Sequence, residues 1–178
     1  MKTSLKVSLG GAVAAVGLVL MLITSLIPVG TYAFPAFAGM LTVLIVIEIG
    51  YGWAFAVYAA TALLSFLLIT DKEAALLYTV FLGFYPIVKS LIERIPSRLA
   101  QYVVKLILFN SAMIGAFYIA TLLLGIPADS YAVFGMSAPW LFLLAGNVLF
   151  MIYDLCITRI VTLYMLKWHK RFNKNTKL

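Results

Sequence analysis

The sequence is poor in the residues from which catalytic and metal sites are usually built. It has one histidine, His169, one cysteine, Cys156, and six acids. A lone cysteine excludes an intrachain disulfide, and a structural zinc site would lack its usual thiolates. His169 stands in a basic carboxyl-terminal tail, so no Ser-His-Asp machinery can be assembled in the apolar part of the chain. No G-x-x-x-x-G-K-[ST] run is present, and Gly10-Gly11 do not make a phosphate loop; ATP-driven work would need its nucleotide on another subunit. These absences point away from an enzyme and from any cofactor. Charge is scarce too: 11% of residues are Asp, Glu, Lys or Arg, far below an ordinary soluble domain.

Apolar residues make up 65% of the 178, with a mean hydropathy of +1.10, so the solvent for most of the chain is lipid. In hydrocarbon every backbone N–H and C=O must be paired within its own segment, which makes the long apolar runs helices. The length holds roughly six spans of about 20 residues and no separate soluble domain. The sequence therefore reads as an all-α integral membrane protein, a single bundle of six transmembrane helices over Val7–Ile27, Phe37–Ile49, Trp53–Ile69, Ala74–Ile95, Leu99–Leu124 and Trp140–Leu166, with a basic tail over 167–178.

The formal charge is +7. Threaded as six spans, twelve of the thirteen basic residues fall on one side of the membrane and only Lys72 on the other, which the positive-inside rule reads as cytoplasmic amino and carboxyl termini in a cell membrane. The tail, with Trp168 and its lysines, reads as an interface anchor and topology signal, not as a nucleic-acid site. Lys2 and Lys6 before an apolar run, with Ala36-Phe37-Ala38 downstream, also fit a secretory signal; the run exceeds the usual signal core, and cleavage would leave five spans.

Local features refine this layout. Pro28-Val29-Gly30 ends the first span, Thr31 to Pro35 form the first outer loop, and Gly50-Tyr51-Gly52-Trp53 make a tight inner turn. Thr70 and Asp71 are placed to cap span four, and Pro86 is expected to kink or loosen it near mid-depth. Lys89 and Glu93, four apart, can pair on one helix face. Asp154 stands five residues from Arg159, and Glu48 near the inner end of span two; structural pairing is the preferred reading of both acids. Asn110 and Asn147 lie deeper, as interhelical hydrogen-bond partners or as ligand contacts. Gly125 to Pro139 form the longest outer loop, whose Tyr131, Phe134 and Met136 could fold over an outer cavity.

Span one carries Gly10-Gly11-Ala12-Val13-Ala14-Ala15-Val16-Gly17, which places Gly10, Ala14 and Gly17 on one face with Gly11 and Ala15 beside them. Such a nearly bare face admits close approach by another helix, inside or outside the chain. Together with six spans, cytoplasmic ends, the Pro-containing first loop before Phe34-Pro35-Ala36 and the Gly50–Trp53 turn, this stripe resembles the S components of energy-coupling factor (ECF) transporters, small membrane proteins that capture vitamins and other micronutrients. The resemblance implies that Gly10-x-x-x-Ala14 and Gly11-x-x-x-Ala15 dock on a transmembrane T component, where the family uses an Ala-x-x-x-Ala motif, and that two cytoplasmic ATPases supply the energy. It further implies a small-molecule site in the outer half of the bundle. By threading, the groups there are Tyr32 and Phe34 in the first loop, Tyr78 and Phe81 on span four, Tyr118 on span five, and Tyr131, Trp140 and Asn147 around span six, a set suited to a flat, partly polar molecule.

Two other readings stay open. A membrane scaffold similar to the rod-shape family MreD would have the outer cavity filled by side chains. A small proton-coupled carrier would use Glu48 or Asp154.

Overall fold

The computed structural model describes residues 2–27, 30–127 and 139–167; Pro28, Val29, the segment holding Phe134 and Met136, and the tail with Trp168 and His169 lie outside them. Every regular element among the described residues is a helix: α1 (Thr3–Thr24), α2 (Ala33–Glu48), α3 (Tyr51–Leu68), α4 (Lys72–Leu77), a π-helical turn (Tyr78–Leu82), α5 (Tyr85–Ile92), α6 (Arg98–Leu122) and α7 (Pro139–Lys167). α4, the π turn and α5 form one interrupted rod. That rod, α1, α3, α6 and α7 are each long and apolar enough to cross a membrane. At 16 residues α2 is shorter, about 24 Å at 1.5 Å per residue. Leu67, Leu122 and Leu123 are 77–78% exposed, which only lipid tolerates in such numbers. The chain is a multi-pass helical membrane bundle.

Several boundaries differ from the sequence reading. Thr31 to Pro35 are not all loop: α2 begins at Ala33, so Phe34 lies in its first turn. Pro35 permits this, because a helix's first N–H groups have no intrahelical partner and a missing one costs nothing there. Span four is three pieces rather than one kinked helix, and Pro86 sits in the first turn of α5. The tight turn expected over Gly50–Trp53 narrows to Gly50, whose φ of +115° suits glycine, and α3 already begins at Tyr51. Asp71 caps α4 as expected, its Oδ1 accepting from the Ala74 N–H at 3.0 Å.

The interrupted rod is the axis of the bundle. Its apolar window is 56% buried, against 22–28% for the other four long helices. Gly83 N–H reaches back five residues to the Tyr78 carbonyl at 2.7 Å. The Thr79 carbonyl, its α-helical partner, instead accepts the Tyr58 hydroxyl of α3 at 2.5 Å. The Leu82 carbonyl faces the Pro86 nitrogen, which has no hydrogen, and accepts the Tyr153 hydroxyl of α7 at 3.1 Å. Side chains of the neighbouring rods thus take up the backbone groups that the break sets free. Gly39 of α2 makes the same approach possible: a Cβ there would stand 2.0 Å from the Leu82 carbonyl oxygen.

Gly39→Ala should therefore force α2 off the axis and destabilise the bundle by roughly 1–3 kcal/mol, the usual scale of overpacking. Gly11, with nothing within 4 Å of an added Cβ, should accept alanine without loss. Thermal unfolding of the two purified variants in one detergent checks the contrast.

Candidate functional site

Between α4, α6 and α7, at the end of the bundle bearing Asp71 and Glu73, lies a cavity of about 470 Å³. Its walls are mostly apolar: Leu76 and Leu77 from α4, Met113 and Ala116 from α6, Leu143 and Gly146 from α7. Ile114 of α6 adds to them, and rings come from Tyr32, Phe109, Phe117, Tyr118, Trp140 and Phe142. Glu73 is the one charged residue on the wall among the described residues, and its Oε1 accepts the Tyr32 hydroxyl at 2.9 Å. The volume is that of a pocket for a small organic molecule.

The floor is a knot of stacked rings. Phe109 lies parallel to Phe150, centroids 4.7 Å apart, and Phe81 stacks on Tyr85 at 4.8 Å. Phe81 meets Phe109 and Phe150 edge-on, and Tyr85 meets Phe150 likewise. Offset and edge-to-face pairs each add about 0.5–1.5 kcal/mol beyond their buried area, so this floor is rigid.

Beneath the rings sits a buried ion cluster. Asp154 of α7 accepts from Tyr85, Lys89 and Lys105. Lys89 also holds Glu93 at 2.7 Å, and Lys105 holds both Glu93 at 2.9 Å and Asp154 at 3.0 Å. Two ammonium groups and two carboxylates balance, and the side chains of Lys89, Lys105 and Asp154 are no more than 7% exposed. The expected Lys89–Glu93 pair is present. Arg159 is not the partner of Asp154: five residues on is about 140° further around a helix, and Arg159 is exposed on another face of α7. Lys105, which reads in the sequence as a topology charge, is the member that spacing alone does not reveal.

Of the eight expected ligand residues, Tyr32, Tyr118 and Trp140 line the cavity. Phe34 stands in α2 and off the wall. Tyr78 and Phe81 are core residues at 1% and 0% exposure, Phe81 within the ring floor. Asn147 is committed to its neighbour: it and Asn110 exchange two amide hydrogen bonds at 2.9 and 3.0 Å and each donates to a carbonyl one turn back, which ties α6 to α7. Tyr131 lies outside the described residues. Reasoning from sequence missed Glu73, whose only signal was its place in the first turn of span four, and Phe109, Met113 and Gly146, which look like any lipid-facing positions.

The glycine stripe divides between two faces. Gly10 and Gly17 are buried against α3, where a Cβ would meet Val57 at 3.3 Å and Thr61 at 3.5 Å. Gly11 and Ala15 are exposed, with Ala14 half-buried between. Glu48 accepts the Tyr164 hydroxyl at 2.7 Å, joining α2 to the carboxyl-terminal part of α7.

Breaking the ion cluster at one member should cost far more than removing a balanced pair. Asp154→Asn leaves two buried lysines on one carboxylate and should cost about 3–5 kcal/mol. Adding Lys105→Met to it restores neutrality around Lys89–Glu93 and should recover much of that loss, whereas Arg159→Ala should change little. A double-mutant cycle on thermal stability measures all three. Searches of protein-family models, of curated proteins and of solved structures return no match to this chain.

Proposed function

We propose that this chain is the substrate-binding membrane subunit of an ECF-type importer for a vitamin or similar micronutrient. The observation that carries the reading is the cavity at the Asp71–Glu73 end, open in volume, ringed by aromatic side chains and closed beneath by stacked rings. In this reading the chain passes six times, the short α2 included, with Lys89, Arg94, Arg98 and Lys105 at the cytoplasmic face and the cavity towards the outside. A transmembrane T component and two cytoplasmic ATPases drive it. Gly11 and Ala15, the open part of the stripe, form the docking face, while Gly10 and Gly17 serve the chain's own α1–α3 packing. The scaffold alternative called for a cavity filled by side chains, and the open volume favours a cargo over it. The balanced cluster around Asp154 favours structural pairing over a proton relay.

Affinity-purified full-length protein, extracted in mild detergent, should carry a small metabolite detectable by mass spectrometry and should copurify with a T component and ATPases. Met113→Trp, which fills the cavity from α6, should fold and yet retain at least about tenfold less of that molecule, a loss of roughly 1.4 kcal/mol in binding. A preparation with neither ligand nor such partners, or a ligand indifferent to Met113→Trp, ends this reading.

A further inference from the structure

The cavity's charge is one-sided, and that narrows what it can hold. Among the described residues Glu73 is its only charged wall residue, and no described lysine, arginine or histidine lines it. The adjacent Lys72 does not compensate, because its Nζ turns away to donate to the Phe66 carbonyl at 2.7 Å, at the end of α3. All four ion pairs among the described residues belong to the cluster beneath the ring floor, so no described cation lies within 4.0 Å of Glu73. Asp71, two residues earlier, adds a second negative charge at the rim, held by the Thr31 hydroxyl at 2.8 Å and the Ala74 N–H.

Each ligand class meets this wall differently. An anionic ligand would approach two carboxylates with no counter-charge. A neutral one would shut the Glu73 carboxylate away from water with only the Tyr32 hydroxyl to replace it, a costly desolvation. A cation pairs with the carboxylate and also faces the rings of Tyr32, Phe117, Tyr118, Trp140 and Phe142, whose negative π-faces attract it.

Resting on the binding reading above, we propose that the cavity selects an organic cation, a flat or compact apolar molecule carrying one quaternary or protonated nitrogen that sits against Glu73 among these rings. Glu73 acts as the charge selector, and Tyr32 positions its carboxylate.

The test uses the full chain in lipid nanodiscs at neutral pH and three probes of similar shape: N-methylquinolinium, neutral quinoline and naphthalenesulfonate. Equilibrium dialysis should show the cation binding at least about tenfold tighter than the neutral ring, with the anion weakest. Glu73→Gln should erase that preference by weakening the cation while quinoline binding is retained or tightened, since the neutral ring no longer has to desolvate a carboxylate, and Glu73→Asp should keep the preference within a few-fold. Retained quinoline binding shows that the Gln variant is folded. Equal binding of cation and neutral ring, indifferent to Glu73→Gln, overturns the cation inference and leaves the binding reading standing. Tighter binding of the anion does the same. If no probe binds, or if binding persists unaltered in Met113→Trp, both readings fall.

Discussion

A peptide carbonyl left unpaired in hydrocarbon costs several kcal/mol, and the helix at the centre of this bundle is broken where that cost is greatest. The structure depends on how the break is mended. The π turn shifts one hydrogen bond and frees Thr79; Pro86 removes another and frees Leu82; hydroxyls from α3 and α7 take both carbonyls. Three rods are thereby pinned to one another at mid-length through backbone rather than side-chain packing alone. Such bonds contribute about 0.6–2 kcal/mol each in a membrane, modest singly but fixed in direction. The close fit of Gly39 on Leu82 follows from the same need, since α2 must come near enough for α7 to reach across.

From this axis the remaining features are stacked in order. α4 ends in the break and presents Glu73 and Leu76 to the cavity; the π turn contributes Phe81 to the floor; α5 brings Tyr85 and Lys89 down to Asp154. A single continuous helix would have rotated these groups differently, because the π turn inserts an extra residue and turns everything after it by about 100°. The ion cluster is the counterpart below of the hydroxyl clamps above. It fastens α5, α6 and α7 by charge, and its zero net charge is what makes burial tolerable.

Much of the fold was legible from apolar runs and punctuation, because a helix in lipid needs only length and hydrophobicity to declare itself. Gly50 and Asp71 were legible for the same local reason. Pro86 announced a disturbance but not its form: a π turn depends on which neighbours offer a hydroxyl, and Tyr58 and Tyr153 lie far away in sequence. Pro35 misled because the same residue ends a helix in one register and starts one in another. Depth and ring chemistry selected Tyr32, Tyr118 and Trp140, which line the cavity, but also Tyr78 and Phe81, which are core, since rings serve cores and cavities alike. Asn147 and Lys105 could not be assigned without knowing which helix faces meet. Their partners, Asn110 and Asp154, lie 37 and 49 residues away.

The ring knot beneath the cavity is a partition. Stacked faces and edges with centroids 4.7 to 5.4 Å apart stand between the chamber and the lysines below. Chamber and ion cluster are thus partitioned along the axis, and the buried charges keep an apolar ceiling that spares them competition from anything polar above.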